Sequence, residues 1–133
     1  MAFGVATVLT DIGKALIADR IRTTPATYTS APTWIGIGVG ATGAARTAVA
    51  ADTALTTPVE SRINATISIT GEVVSGDTYK AVATFEATAA RAVDELGLFD
   101  ASSGGNMAVS ATFNPIDMVT QDTIEMTVRL RIA

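Results

Sequence analysis

The side chains that most often carry enzyme chemistry are missing from this sequence. It contains neither cysteine nor histidine, so it has no thiol nucleophile, no thiolate metal ligand and no imidazole base or zinc ligand. Without histidine a Ser-His-Asp triad cannot form. Neither a Ser-x-x-Lys nor a Gly-x-Ser-x-Gly pattern occurs. Any acid–base chemistry would have to come from carboxylates.

The carboxylates do not form an evident catalytic pair. Asp94 and Glu95 are neighbours in a predicted strand, where successive side chains point to opposite faces. Asp100, Asp117 and Asp122 fall in predicted turns, where aspartate commonly bonds the local backbone. A calcium site in these loops stays open as an alternative, although no EF-hand spacing is present. We therefore expect no catalytic residues, no metal ligands and no enzyme activity.

A glycine-rich segment, Gly36-Ile-Gly38-Val-Gly40-Ala41, fits the loose dinucleotide-binding pattern G-x-G-x-x-A, and Glu60 lies about 20 positions further on. That chemistry needs a strand before the glycines and a helix that opens directly on them. Here the glycines alternate with apolar residues inside a predicted strand, and a Gly/Thr-rich loop follows. The segment therefore predicts close backbone packing and no cofactor.

Five residues are candidates for an interface or for packing: Trp34, Tyr28, Glu95, Leu98 and Phe99. Trp34 and Tyr28 are either core or core-edge residues or anchors of a binding surface, where both types are enriched. Leu98 and Phe99 point to opposite faces, which indicates a central strand that is covered on both sides. Glu95 on such a strand needs an Arg or backbone N–H groups as partner, because an unpaired buried carboxylate is costly.

The composition narrows the class of partner. The 133 residues carry a net charge of −4, and the basic residues form no run, so we expect no nucleic-acid partner. No apolar run approaches the roughly 18 residues that span a bilayer. Asp11 follows a start without basic residues, so a secretory leader is not expected either. A hydrophobic content of 48% with only 17% charged residues requires a large core or a partner that covers apolar surface.

The periodicity predicts a mainly β fold. One short helix is expected from Thr10 to Arg22, capped by Thr10 or Asp11 and ended by Thr23-Thr24-Pro25. Its apolar stripe is expected to contain Leu9, Ile12, Leu16 and Ile17. Period-two alternation predicts strands over 33–39, 63–69, 79–87, 93–99, 107–113 and 124–132, with Met107 and Val109 on one face. Turns are expected at Ser75-Gly76-Asp77 and over 100–105. Asn114-Pro115 is expected to end the fifth of these strands. The prediction is a single antiparallel β-sandwich over residues 1–133, with an N-terminal arm and helix over 1–25 and an irregular loop over 40–60.

The order of these features is similar to a family of small bacteriophage proteins. The helix precedes Trp34-Ile-Gly-Ile-Gly-Val-Gly40, then come Glu60-Ser-Arg62, Glu95-Leu-Gly-Leu-Phe-Asp100 and Phe113-Asn-Pro-Ile, and an alternating aliphatic strand closes the chain. This resembles phage virion structural proteins of the tail-fibre or tail-collar type. In those proteins a Glu-x-Gly-Leu-Phe-Asp segment precedes a Gly-rich turn and a second apolar strand.

The resemblance implies a non-enzymatic virion structural protein that forms a homo-oligomer, expected to be a trimer. Its partners would be other phage structural proteins, the major capsid or tail proteins, and it would be assembled in the bacterial host cytoplasm. Collar-type fibre proteins continue into a long repetitive shaft, which does not follow here. Two roles are therefore expected: a capsid decoration (cement) protein or a small tail or fibre component. A free-standing carbohydrate- or receptor-binding module is the alternative, although seven aromatic residues supply little stacking surface.

Overall fold

A computed structural model of the chain describes residues 5–21, 27–28, 30–40 and 47–132. In these residues the helix is α1 (Asp11–Ile21), and the strands are β1 (Val5–Leu9), β2 (Trp34–Val39), β3 (Thr57–Asn64), β4 (Thr66–Thr70), β5 (Thr78–Glu86), β6 (Arg91–Phe99), β7 (Met107–Met118) and β8 (Thr123–Arg131). The strands pair antiparallel in two sheets, ordered β1-β7-β6-β2-β3 and β4-β5-β8. The predicted mainly β sandwich with one short N-terminal helix is confirmed.

The core lies between the two sheets and is built from the alternating strand positions. Its fully buried side chains come mainly from β2, β5, β6 and β7: Ile35, Ile37, Phe85, Val93, Leu98 and Val109. β8 adds Met126 and Val128, while its Glu125 and Arg129 are exposed. Because the inner faces are aliphatic and the outer face of β8 is polar, a one-residue slip of β8 would expose the core, which fixes its register.

The predicted strand over 63–69 is two strands, and this prediction is corrected. The chain leaves the five-stranded sheet at Asn64 and enters the three-stranded sheet at Thr66. Between them the buried Ala65 donates its N–H to the Thr33 carbonyl at 2.7 Å. The alternation of apolar residues continues across this corner, so the pattern alone did not reveal it. β3 also begins at Thr57, inside the predicted loop over 40–60.

Residues Val5–Leu9 form a strand before the helix, where only an arm and a helix were predicted. β1 pairs with β7, and Leu9, predicted on the helix stripe, is the last residue of β1. Thr10 caps α1 as expected, because its hydroxyl oxygen accepts the Gly13 N–H at 2.9 Å. The predicted end of the helix at Thr23-Thr24-Pro25 and residues 41–46 of the predicted loop lie outside the described residues.

α1 packs on the five-stranded sheet through its smallest residue. Its buried residues are Gly13, Leu16 and Asp19, whereas the predicted stripe ran through Ile12, Leu16 and Ile17. A Cβ added at Gly13 would collide with the Ala108 carbonyl of β7. The absence of a side chain therefore sets how closely the helix approaches the sheet.

Two predictions about β7 are wrong. The strand runs through Asn114-Pro115 to Met118, because β6 continues to pair with it on the far side of the proline. A register shift next to Phe99 also moves Met107 off the face that it was predicted to share with Val109. Met107 packs on the opposite face of the sheet, in a small cluster with Leu55 and Phe99.

Candidate functional site

Gly36 and Gly38 of the glycine-rich segment lie within β2, as the sequence predicts, and make room for neighbouring groups. Gly40 follows the strand with a positive φ of 86°, and Ala41 lies outside the described residues. A Cβ at Gly38 would come within 2.9 Å of both the Glu95 side chain and the Thr57 carbonyl oxygen. Glu60, the acidic residue of the dinucleotide-binding pattern, binds a different part of the chain. Its carboxylate accepts hydrogen bonds from the Thr88 N–H and hydroxyl at 3.1 and 2.8 Å. The described residues here offer close backbone packing, which is what the sequence predicted for this strand.

Glu95 is fully buried in the central strand of the five-stranded sheet. One of its carboxylate oxygens accepts the backbone N–H of Thr57 at 3.1 Å. A backbone N–H is one of the two kinds of partner that the sequence required for it. A register shift separates Val93 from Glu95, and Val93 and Leu96, three positions apart, both pack in the core between the sheets, so strict alternation is interrupted at this point of the strand.

A row of buried polar side chains fastens the segment 47–57 to the outer face of this sheet. The Ser110 hydroxyl donates to the Asp52 carboxylate at 2.7 Å, and the Thr112 hydroxyl oxygen accepts the Ala48 N–H at 3.2 Å. Within the described residues, every buried side-chain nitrogen or oxygen has a hydrogen-bond partner. Because the Ser110 and Thr112 hydroxyls already bind groups of the segment 47–57, their role is to hold this loop against the sheet.

The other predicted residues take part in packing. Leu98 is buried between the sheets, and Phe99 is buried on the opposite face, as predicted for a central strand. Trp34 is half-buried against the Phe99 cluster. The Arg62 guanidinium lies 3.4 Å from the centre of the Phe99 ring. Tyr28 is half-buried, and its backbone N–H donates to the Asp19 carboxylate at 3.0 Å.

The predicted turn aspartates have two different environments. Asp100 and Asp122 do accept local backbone N–H groups, from Asn106 at 2.7 Å and Val119 at 2.8 Å. Asp117 lies in β7, which corrects its assignment to a turn. Among the described residues, no three acidic side chains converge in a way that would hold a metal ion.

The most unusual surface is an apolar one at the end of the sandwich where β8 ends and β5 begins. Eight large hydrophobic side chains of the described residues are exposed, and five of them lie at this end. Their exposed fractions are Ile21 81%, Ile69 63%, Val73 75%, Val74 67% and Ile132 63%. We call this set the apolar end. Clusters of exposed aliphatic groups are typical of interaction surfaces in proteins.

A groove forms part of the apolar end, and we call it the end groove. It holds about 350 Å³ between α1 and the three-stranded sheet and is lined by Ile17, Ile21, Tyr79, Leu130 and Ile132, with Arg20 at its side. Ile69, Tyr79 and Leu130 are register partners in one cross-strand row. The Tyr79 hydroxyl donates to the Pro32 carbonyl at 2.7 Å, and burial raises the pKa of this tyrosine.

The hairpin between β4 and β5 forms the other part, and we call residues 71–77 the hairpin tip. The Asp77 carboxylate accepts the backbone N–H groups of Glu72, Val73 and Val74 at 2.9 to 3.1 Å and the Thr78 hydroxyl at 2.7 Å. These bonds, with the Thr78 hydroxyl first, hold the pKa of Asp77 well below its usual range. The tip therefore presents two valines on a fixed backbone.

The sequence contained a signal for this surface that the periodicity did not capture. Val73 and Val74 stand side by side directly before the predicted turn Ser75-Gly76-Asp77. Turns are ordinarily polar, so two adjacent aliphatic residues beside one are an unusual feature of the sequence. The end groove had no such signal, because its walls come from four distant parts of the chain.

The chain matches no known protein family, no curated protein and no solved structure. The described residues contain no helix with the length and apolarity that crossing a membrane requires. The fold, the docked loop and the apolar end are therefore the observations from which a function can be argued.

Proposed function

We propose that this chain is a bacteriophage virion structural protein, not an enzyme, that self-assembles and binds the surface of the particle through its apolar end. The observation that carries the proposal is the clustering of exposed aliphatic side chains at one end of the sandwich, while every buried side-chain nitrogen or oxygen of the described residues is hydrogen-bonded. Such a chain has exposed apolar surface that can bind a partner.

The energetics of assembly support this role. Removing apolar surface from water stabilises a contact by about 25 cal/mol per Å², and the five aliphatic residues of the apolar end keep most of their surface in the single chain. Many copies on one particle raise the effective concentration of each contact, so individually weak contacts hold together. The resemblance to tail-fibre and tail-collar proteins supports a virion location after assembly in the bacterial host cytoplasm.

Two places on the particle fit the proposal, and copy number separates them. A capsid decoration (cement) protein would be present in hundreds of copies and would bridge shell subunits. A small tail or fibre component would be present in a few to a few dozen copies. Quantitative mass spectrometry of purified particles that carry the gene measures this number, and cryo-electron microscopy of the same particles places the density.

The free-standing binding module has less support. A carbohydrate-binding face needs exposed aromatic rings, yet no aromatic side chain of the described residues is fully exposed. Phe85 and Phe99 are buried, and Trp34 is half-buried against its cluster. Glycan-array binding by the purified monomer would argue for this module and against assembly.

The solution test uses the purified full chain and two matched variants. Val74→Asp places a charge in the apolar end, whereas Val119→Asp places the same charge on an equally exposed valine at the opposite end of β8, 62% against 67% exposed. We expect the wild type and Val119→Asp to be oligomers by light scattering, and Val74→Asp to dissociate. A monomeric wild type that is also absent from purified particles would contradict the proposal.

A further inference from the structure

We propose that the hairpin tip of one copy docks into the end groove of a second copy. This inference rests on the proposed function and specifies the contact through which the chain assembles. Both partners of the contact are present on one polypeptide: a protruding pair of valines, and an apolar groove with a basic residue at its side.

The sizes of the two parts fit. The end groove holds about 350 Å³, more than twice the roughly 150 Å³ apolar cavity that takes up a benzene molecule. The side chains of Val73 and Val74 together contain six carbon atoms, as many as benzene. The groove therefore has room for both valines and for part of the backbone that carries them.

The charges of the two parts are opposite. Glu72 precedes the two valines on the hairpin tip, and its side chain is about half exposed. Arg20 lines the end groove and is exposed. When the valines enter the groove of a second copy, Glu72 is carried towards the Arg20 of that copy. Opposite charges at the rim of an apolar contact favour this arrangement and disfavour tip-to-tip contact, which brings two Glu72 carboxylates together.

The valines of a single copy do not occupy their own groove. The tip is tied to the end of its own β8, where the Ile132 N–H donates to the Asp77 carbonyl at 2.9 Å and Arg129 lies 3.4 Å from Glu72. In that position Val73 and Val74 stay three-quarters and two-thirds exposed. The backbone bonds to Asp77 hold the tip in this form before any contact, which lowers the entropy lost on docking.

The two parts are different patches of the surface, so the contact joins unlike faces of successive copies. Contacts of this type close into a ring or continue into an open filament, and they form a reciprocal pair when each tip reaches the other groove. In each form the groove of one copy is filled by the tip of another copy. A mixture of two variants can therefore test the contact directly.

Because the sequence contains no cysteine, a cysteine introduced by substitution is the only thiol in each variant. Val74→Cys labels the tip and Ile21→Cys labels the groove, and each is made as a full chain with a different mass tag. Val119→Cys, at the opposite end of the sandwich, is the matched control. After pairwise mixing and mild oxidation, the disulfide-linked products are separated by mass. Unchanged circular dichroism shows that each variant is folded.

We expect the tip–groove mixture to give at least tenfold more mixed disulfide than either variant mixed with Val119→Cys. Predominant disulfide linkage between two Val74→Cys chains would overturn the inference and leave the proposed function standing. An oligomeric protein with no linkage between Val74→Cys and Ile21→Cys would do the same. A protein that is monomeric and absent from particles would contradict the proposed function as well.

A charge exchange tests the same contact without cysteine. Glu72→Arg and Arg20→Glu should each weaken self-association at low salt by several-fold, because each places like charges together. The double variant should regain most of the wild-type affinity in analytical ultracentrifugation. Additive weakening in the double variant would show that the two residues do not meet, and the inference would be wrong.

Discussion

Replacing Gly13 by alanine is expected to destabilise the fold, although alanine is the better helix former. In an isolated helix the change would gain about 1 kcal/mol. In this protein the new Cβ would collide with the Ala108 carbonyl oxygen and lie 2.9 Å from both the Ala108 carbonyl carbon and Leu9 Cδ1. The Ala108 carbonyl is part of the backbone of β7, which is paired on both sides in the sheet, so it cannot rotate away as a side chain could.

The magnitude follows from the two ways of relieving this contact. If the helix stays in place, overpacking costs about 1–3 kcal/mol. If it moves away by about 1 Å, it lengthens the 3.0 Å bond from the Thr10 N–H to the Ala108 carbonyl and the bond from the Thr10 hydroxyl to the Met107 carbonyl. Two such bonds contribute about 2 kcal/mol. After subtraction of the gain of about 1 kcal/mol in helix propensity, either route leaves a net loss of unfolding free energy of about 1 kcal/mol.

Thermal denaturation followed by circular dichroism measures this loss. For a domain of this size a loss of about 1 kcal/mol lowers Tm by about 4 °C. Protein concentration is held constant, because assembly stabilises the folded state. Ala18→Gly on the exposed side of the same helix is the control and should lower stability by about 1 kcal/mol through propensity alone. A Tm that rises in Gly13→Ala would refute the close approach of helix and sheet.

Three further predictions concern single side chains. Arg62→Lys should cost about 1–2 kcal/mol in urea denaturation, because lysine keeps the charge but loses the stack on Phe99 and the two bonds to carbonyls of the 101–104 turn; an unchanged midpoint would contradict this. The folded pKa of Asp77 is depressed, so its stabilisation is complete above its unfolded value near pH 4 and is lost as the pH falls through the folded value. Hydrogen-exchange protection of amides 72–74 should therefore fall on acidification in the wild type and change little in Asp77→Asn; equal protection of the wild type at pH 7 and pH 2 would count against this. Ser110→Ala removes a donor to Asp52 and should speed proteolysis within 47–57, and a cleavage rate equal to that of the wild type would show that this bond does not hold the loop.

Local chemistry was predictable from the sequence where it depends on neighbours in the chain. Thr10 caps the helix because a hydroxyl at that position reaches an N–H three residues later. Gly76, Gly104 and Gly105 adopt positive φ in the predicted turns, where a side chain would be strained. The central strand ending at Phe99 was predictable because apolar residues point to both of its faces.

Interruptions of the pattern were not predictable in the same way. The corner at Ala65 and the register shifts beside Glu95 and Phe99 leave the alternation of apolar residues nearly intact. The strand through Pro115 depends on β6 pairing on either side of it. In each case the interruption depends on pairing with a strand that is far away in the sequence. The local periodicity of apolar residues therefore does not reveal it.

The sequence by itself determined that this protein is an antiparallel sandwich of aliphatic strands with neither cysteine nor histidine, because strand periodicity and composition are local properties. Only the tertiary structure decided that five aliphatic side chains, from Ile21 to Ile132, gather at one end, and that Glu72 and two valines stand beside an apolar groove there. An exposed apolar surface of this kind is formed by side chains from segments that lie far apart in the sequence. Which side chains it contains is settled when the two sheets pack and leave part of one sheet uncovered.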